Sequence, residues 1–287
     1  MQFTTALSLT SLVSHWLANS RYPRILHLFD RACNLINEHR DVLSIVTPQI
    51  GDGPFNIVVK DNVSFSDRLN IESLIYVSPS QLNLGDLTIH TADAKHWNPS
   101  PNWDSFHANK NKISNYLKHG GFDTLLGEPS VLLNHRNFPV TQSLASNLCS
   151  SLVNADISSC LTAATKLAGL GAGLTPAGDD FIMGAIYAAW IIHPLEVASV
   201  LARKIVNTTA PRTTSLSAAW LRCAGKGEAG ILWHTFFDAL ISSDAAAIHS
   251  RITELLSVGH TSGADALSGF IRLFRYWADG RTGFTTS

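Results

Sequence analysis

The sequence predicts an α+β protein, in which a small antiparallel β-barrel or sandwich is followed by a mainly α-helical domain. Before Trp97 the apolar residues form short β-rich runs separated by turn clusters, and after Asn102 their spacing lengthens toward 3.6 residues. At 287 residues the chain is longer than one core comfortably supports. We therefore predict two domains: residues 1–100, β-rich with an N-terminal helix, and residues 101–287, helical.

The first domain is expected to consist of short strands. Met1–Ser20 has no Lys or Arg before its apolar stretch and is interrupted by polar residues, so we interpret it as a short helix rather than a signal peptide. No long helix fits between the runs that follow, which indicates a mostly antiparallel sheet. The predicted strands are Ile25–Phe29, Val42–Val46, Asn56–Val59, Leu74–Val77 and Leu87–His90.

The second domain contains eight predicted helices. Most of them begin after a Ser, Thr, Pro or Asp, which are the residues that cap or open helices. The longest apolar run, Phe181–Ile192, falls short of the roughly 20 residues that span a bilayer, so we expect no membrane association. The predicted helices are Phe106–His119, Ser143–Ala168, Pro176–Ile192, Pro194–Thr208, Ser215–Ala224, Gly230–Ile241, Ala245–Val258 and Gly263–Trp277.

Composition restricts the classes of partner. The chain has 21 basic and 22 acidic residues without a basic stripe, which argues against nucleic acid. Apolar residues make up 45% and charged residues 15%, as expected for a chain that covers surface against other subunits. The cysteines lack CxxC spacing, so we expect buried thiols of a reducing, cytoplasmic compartment and no zinc site. They are Cys33, Cys149, Cys160 and Cys223.

The chemically richest segment runs from Gly169 to Asp180 and reads GLGAGLTPAGDD. Glycines permit close backbone approaches, and the first amides of a helix attract anions. Thr175 is predicted to cap a helix that opens at Pro176. We predict that Gly171, Gly173 and Thr175 together cradle a small anionic substrate.

The two adjacent acids that end this segment are candidates for catalysis or metal binding. Two ionised carboxylates would repel a bound anion unless a cation lies between them, so Asp179 and Asp180 are predicted as catalytic groups and as ligands of Mg²⁺. The structural alternative is that acids in a first helical turn simply complement the helix dipole.

Two later segments repeat the same arrangement of hydroxyls and a charged group at a helix start. In the second of them, Ser262 and Asp265 have the spacing of a capping box. If the three helix starts converge, they would present amides, hydroxyls and carboxylates to one cavity that suits a small polar anion. The candidates are Arg212, Thr213, Thr214, Ser217 and Ser262 for substrate binding and His260 for catalysis. Hydroxyls that merely cap helices are the alternative.

Arg31 is a further candidate, in the β-rich domain. Its guanidinium could hold a planar carboxylate through a bidentate contact. Alternatively, Arg31 lies on the surface and pairs with Asp30 or Glu38.

Three segments resemble the signature of the AllH family of bacterial proteins. They are Gly171–Asp180, Gly259–Asp265 and Phe29–Leu35, and their order along the chain matches a β-rich start before a helical end. The resemblance implies a subunit of an oxamate carbamoyltransferase assembly that works with two other subunits in the breakdown of allantoin and purine nitrogen. Such an assembly interconverts oxalurate plus phosphate with oxamate plus carbamoyl phosphate.

Carbamoyl transfer requires anion binding, polarisation of a carbonyl and protonation of a leaving group, which helix-start amides, an Arg and a His can supply. Arg212 or Arg31 would hold a carboxylate, and His260 would act as acid or base, oriented by the aspartates. Two alternatives remain open: a non-catalytic interface or ligand-sensing subunit, and a stand-alone metal-dependent hydrolase or phosphotransferase that uses Asp179 and Asp180.

Overall fold

The computed structural model describes residues 2–119 and 138–282. The chain divides into two compact units: residues 1–99 with 229–231, and residues 100–228 with 232–287. The first unit is a nearly closed β-sheet and the second is helical, so the predicted α+β class is confirmed.

The described residues of the N-terminal unit form nine strands and one helix. In order of pairing the strands run β2-β3-β4-β5-β1-β8-β7-β6, and β9 pairs with β1. Side chains such as Leu35, Ile45, Ile57 and Leu82 are fully buried in the core of this unit. The elements are β1 Gln2–Leu9, α1 Ser11–Asn19, β2 Arg24–Leu28, β3 Ala32–Ile36, β4 Val42–Val46, β5 Asn56–Val59, β6 Ile75–Ser78, β7 Gln81–Leu84, β8 Leu87–His90 and β9 Lys95–His96.

Most strand pairs of the sheet are antiparallel, as predicted, but three are parallel. The parallel pairs are β1 with β8, β1 with β9, and β4 with β5. The five predicted strands correspond to β2, β4, β5, β6 and β8, and their boundaries agree with the structure to within one residue. The runs missed β3, β7 and β9, although β3 and β7 pair with the strands directly before and after them in the sequence.

The interpretation of Met1–Ser20 as one helix was wrong for its first half. Gln2–Leu9 is a strand that pairs with β5 and β8, and only Ser11–Asn19 is helical. Thr10 caps that helix by accepting a hydrogen bond from the Val13 N–H at 3.3 Å. The strand was missed because its inward positions include Thr4 and Ser8 while Phe3 faces out, so hydrophobicity alone conceals the alternation.

The C-terminal unit is helical. Two predicted helices are each divided: one at Asn109, and one at residues 154–156, where Ala155 adopts a φ of 52°. The helices are α2 Trp103–Ala108, α3 Lys110–His119, α4 Phe138–Val153, α5 Ile157–Leu167, α6 Ala177–Ile192, α7 Leu195–Thr209, α8 Ser215–Gly225, α9 Ile231–Ser242, α10 Ala245–Leu256 and α11 Ser262–Thr282, with a 3-10 turn at Ala210–Arg212.

Helices α6 and α11 pack backbone against backbone. A Cβ at Gly184 of α6 would lie 1.7 Å from the carbonyl oxygen of Ala266 on α11. Reciprocally, a Cβ at Gly269 of α11 would lie 2.1 Å from the carbonyl oxygen of Phe181 on α6. Only glycine permits this separation, and it fixes the first turns of both helices beside each other.

Two further expectations concern single features. The four cysteines are free and buried, as predicted for reduced thiols. Within residues 2–119 and 138–282, no helix has the length and apolar character needed to cross a bilayer.

Candidate functional site

The structure brings the starts of α6, α8 and α11 together. The Thr214 hydroxyl at the start of α8 donates to the carbonyl oxygen of Leu174 in the glycine-rich loop. The Thr175 Oγ1 atom at the end of that loop lies 2.6 Å from the Ser262 Oγ atom at the start of α11. We call residues 169–180, 213–217 and 261–265 together the helix-start site.

Positive backbone φ angles shape the glycine-rich loop: 73° at Gly169, 117° at Gly171 and 97° at Gly173. A Cβ at Gly169 would lie 2.7 Å from the Arg212 carbonyl oxygen, so this glycine also permits a close approach to the start of α8. Gly171 and Gly173 are exposed, and their N–H groups donate no hydrogen bond to any other described residue. These two amides are therefore free to bind an anion.

Asp179, in the first turn of α6, hydrogen-bonds to the glycine-rich loop and to the start of α8. Its side chain is 1% exposed, and its Oδ1 atom accepts from the Gly169 N–H at 2.9 Å. Its Oδ2 atom accepts from the hydroxyls of Thr213 and Ser217, the latter at 2.9 Å. Burial raises the pKa of Asp179, against the effect of these three hydrogen bonds, which favour the charged form.

Asp180 lies beneath the paired hydroxyls. Its side chain is 4% exposed, and the nearby Ser262 and Thr175 side chains act to lower its pKa. Its Oδ2 atom has no hydrogen-bond partner among the described residues. Burial first, and then the charges of Asp265 and Asp179, raise the pKa of Asp180 well above its usual range, which favours the protonated form of this acid.

Asp265, on the first turn of α11, completes the buried acids. Burial raises the pKa of Asp265 to about 7, opposed by a hydrogen bond from the Thr261 side chain. Its Oδ2 atom also has no partner among the described residues. Because burial raises the pKa of both Asp180 and Asp265, these two acids repel a nearby anion less than two fully ionised carboxylates would.

Two predicted capping arrangements differ in the structure. Pro176, not Thr175, occupies the N-cap position of α6, which has no side-chain cap, and the Thr175 hydroxyl instead pairs with Ser262. Helix α11 begins at Ser262, so Thr261 directly precedes it, and the Thr261 carbonyl oxygen accepts from the Asp265 N–H at 3.0 Å. The Ser262–Asp265 spacing is therefore not a capping box. Sequence spacing missed both because helix starts were assigned one residue away.

The three predicted hydroxyls of α8 have partners within the protein. Thr214 caps the helix by accepting from the Ser217 N–H at 3.1 Å, while Thr213 and Ser217 donate to Asp179. These bonds position the loop and the acids, and the assignment of these hydroxyls to substrate binding stays a prediction.

The predicted histidine and arginines are exposed. His260 precedes α11, and no hydrogen bond links it to Asp179 or Asp180 among the residues described. Arg212 contributes its backbone beside Gly169, and its side chain is exposed. Arg31 belongs to the N-terminal unit, in the turn between β2 and β3, where no ion pair joins it to Asp30 or Glu38 within the described part of the chain.

The donor set gives no added support to a metal at the aspartates. Both oxygens of Asp179 already accept hydrogen bonds from the protein. No group of three or more His, Cys, Asp or Glu side chains in residues 2–119 and 138–282 is arranged to hold a metal ion. Magnesium at Asp179 and Asp180 stays a prediction.

Sequence reasoning did not include Asp265, Thr261 or Gly169 among the candidate site residues. Asp265 had a signal: it is an acid flanked by Ala264, Ala266 and Leu267, so a helix that buries its apolar face buries this carboxyl with it. The role of Gly169 as a donor to Asp179 had no signal, because a backbone N–H is the same at every residue.

Comparison with protein families agrees with the resemblance drawn from the sequence. Residues 167–274, which contain the whole helix-start site, match the family described as oxamate carbamoyltransferase subunit AllH. Residues 5–96 match the AllH family N-terminal domain. No solved structure matches the chain. The two matched ranges span most of the sequence, and the chain therefore belongs to the AllH family.

Proposed function

We propose that this chain works with two other subunits in a cytoplasmic oxamate carbamoyltransferase assembly, in the breakdown of allantoin and purine nitrogen. The assembly interconverts oxalurate plus phosphate with oxamate plus carbamoyl phosphate. Family membership supports the role of carbamoyltransferase subunit. The single observation that supports a contribution to the reaction is the buried Asp180, whose pKa burial raises, close to the paired hydroxyls of Thr175 and Ser262.

The glycine-rich loop accounts for anion binding in this proposal. The free N–H groups of Gly171 and Gly173 offer hydrogen bonds to a phosphate or carboxylate. The raised pKa of Asp180 favours its neutral form, which lessens the repulsion that an ionised carboxylate would exert on such an anion. The exposed Arg212 supplies the positive charge that the substrate carboxylate requires.

In this proposal the role of Asp180 is proton transfer. A phosphate oxygen attacks the carbamoyl carbon of oxalurate, the carbon–nitrogen bond breaks, and the departing oxamate nitrogen takes up a proton. A protonated Asp180 supplies that proton through the Thr175 or Ser262 hydroxyl and regains one from the attacking phosphate. His260 is the alternative acid or base, since it is exposed to solvent at the start of α11.

The test is oxalurate phosphorolysis by the purified chain, alone and mixed with its two partner subunits, followed by the appearance of carbamoyl phosphate. The informative variant is Asp180→Asn, which keeps the shape but cannot donate an acidic proton. Loss of one general acid lowers turnover by about 100-fold or more. The matched control is Asp238→Asn, at an exposed position of α9.

We expect activity only in the mixture, lost in Asp180→Asn and retained in Asp238→Asn, with both variants assembling normally by size-exclusion chromatography. Full turnover in an intact Asp180→Asn assembly would remove the acid from the proposal. No turnover in any mixture that assembles would overturn the carbamoyltransferase reaction. Adding and chelating Mg²⁺ in the same assay tests the predicted metal at Asp179 and Asp180.

A second candidate function is a non-catalytic subunit that senses a ligand or forms an interface. It is favoured by the burial of Asp179, Asp180 and Asp265, each less than 5% exposed. In that case Asp180→Asn would leave turnover unchanged but would alter assembly or its response to oxalurate. Magnesium-dependent hydrolysis by the isolated chain would instead support the stand-alone hydrolase or phosphotransferase.

A further inference from the structure

A group of basic residues lies on the outside of the C-terminal unit, where α7 packs against α8. The two helices meet at Val206 and Gly225, since a Cβ added to Gly225 would lie 2.9 Å from the Val206 Cγ2 atom. Each basic residue lies within one helical turn of this crossing and is exposed to solvent. We use the name basic surface for the four residues Arg203, Lys204, Arg222 and Lys226.

The positive charges of the basic surface are largely uncompensated. Among the residues that the structure describes, no ion pair joins any of these four side chains to an acid. In α7 the acid Glu196 lies about two turns before Arg203, and the sequence of α8 contains no acid. Lys226 does act on the nearby Glu228, because burial raises the pKa of that carboxyl group and the Lys226 charge lowers it.

The same imbalance extends over the neighbouring helices. Between residues 157 and 237 every Lys and Arg is exposed, whereas Asp179 and Asp180 are buried and Glu228 is partly buried. Glu196 is the exposed acid of this range. The whole chain has 21 basic and 22 acidic residues, so this excess of positive charge arises from where the fold places them.

The helix dipole accounts for part of this arrangement. Arg222 lies in the last turn of α8 and Lys226 is its C-cap, where a positive charge is favourable. However, these two residues are also four positions apart, and like charges at that spacing destabilise a helix. Arg203 and Lys204 precede the last turn of α7, which holds no basic residue. An acidic partner would relieve the repulsion that remains.

The placement of the charges indicates the kind of partner. A small anion requires polar groups that converge in a concave site, whereas these side chains lie exposed on the outside of two helices. Nucleic acid favours a larger basic area and a basic chain, and this chain has a net charge of −1. A protein surface rich in Asp and Glu matches both the sign and the spread of the charges. The family of this chain is described as a carbamoyltransferase subunit, which implies other subunits.

We propose that the basic surface docks an acidic face of another subunit of the assembly. The inference rests on the proposed function in one respect, that the chain works with partner subunits. The four basic side chains steer the encounter and set the orientation of the docked subunit. They take no part in the chemistry proposed for the helix-start site.

The test is association of the full chain with each of its two partner subunits, measured by biolayer interferometry from about 50 to about 500 mM NaCl. The informative variant combines Arg203→Glu with Arg222→Glu, which reverses one charge on each helix. The matched control combines Arg24→Glu with Arg68→Glu, which makes the same change of net charge at exposed positions of the N-terminal unit.

We expect the wild-type chain to bind one partner more weakly as the NaCl concentration rises, because salt screens the charges. At low salt the Arg203→Glu/Arg222→Glu variant should bind that partner about 10-fold more weakly or worse, mainly through slower association, while the control binds as the wild type does. The melting temperature of the isolated variant should equal or exceed that of the wild type. With the partner in large excess, the variant should turn over oxalurate at the wild-type rate.

The outcomes separate the docking proposal from the proposed reaction. Association that is independent of salt, or that the variant retains at wild-type strength, would overturn the docking proposal and leave the reaction in place. Charge-dependent association in an assembly without turnover would support docking and overturn the reaction. A wild-type chain that associates with neither partner would overturn both.

Two other occupants of the basic surface have distinct signatures in the same variant. Loss of binding to a double-stranded DNA probe, with subunit association unchanged, would assign the basic surface to nucleic acid and overturn the proposal. Loss of self-association in size-exclusion chromatography, again with subunit association unchanged, would assign the basic surface to a second copy of this chain and would also overturn it.

Discussion

Replacing Asp265 by Asn should stabilise the protein at alkaline pH. The wild-type side chain is 2% exposed, and burial raises its pKa from 3.8 to about 7. A folded-state pKa above the unfolded value means that the folded protein binds more protons between these two pH values. The stability linked to Asp265 is therefore present below about pH 4 and is lost as the pH rises through about 7.

The size of the effect follows from the shift. A shift of about three units corresponds to about 4 kcal/mol at full ionisation, which is an upper limit because the site can relax or admit water. Asn stays neutral at every pH and preserves the shape of the carboxyl group. The stability advantage of Asp265→Asn over the wild type should therefore grow by about 2 kcal/mol between about pH 5.5 and about pH 8.

Urea unfolding at several pH values measures this difference. Asp180 also has a raised pKa, so both proteins lose stability as the pH rises, and the difference between them reports Asp265 together with its effect on the pKa of Asp180. Asp238→Asn, at an exposed position, is the control and should show no such widening. A constant offset between Asp265→Asn and the wild type across this pH range would refute the reasoning that Asp265 is forced to ionise while buried.

Three further predictions concern packing, the site and the thiols. Gly184→Ala should destabilise the protein by about 1–3 kcal/mol in urea unfolding, because its Cβ would overlap the Ala266 carbonyl oxygen. Gly280, in α11, has no atom within 4 Å of the position of an added Cβ, so Gly280→Ala should instead stabilise the protein by about 0.5–1 kcal/mol. Equal effects of the two substitutions would contradict the packing argument. Asp179→Ala should lower the free energy of unfolding by about 2–4 kcal/mol, because three donors lose their acceptor. Asp179→Asn should lower it by less, since Asn keeps one side-chain oxygen. The reverse order in thermal unfolding would contradict this reasoning. Burial raises the pKa of all four cysteine thiols, so a thiol reagent at about pH 8 should label them only after unfolding, and rapid labelling of the native chain would argue against their burial.

Local chemistry made most of the helical unit predictable. Helices α6, α7, α8, α10 and α11 begin within about one residue of the positions indicated by Ser, Thr, Asp and Pro, because these residues bond to or pre-shape the first turn of their own helix. Strand β1 was not predictable in the same way, since its burial depends on β5 and β8, which lie more than 40 residues away.

The candidate site likewise has parts that the sequence predicted and parts that it did not. Sequence alone identified the glycine-rich loop, Asp179, Asp180 and the hydroxyl-rich helix starts, because small residues and acids at a helix start are unusual enough to be recognised. It assigned Thr175 to a cap, although the hydroxyl pairs with Ser262, 87 residues away. Side-chain partners of this kind are chosen by tertiary packing.

By itself, the sequence determined the α+β class, the order of the helices and the family, because those depend on periodicity, capping residues and short motifs that act within a few residues. Only the tertiary structure decided that Gly184 and Gly269 bring α6 and α11 into backbone contact, and that Asp180 and Asp265 are thereby buried and protonated more readily. The physical reason is that the pKa of a carboxyl group depends on how far the fold excludes water from it, and that exclusion depends on residues distant in the chain.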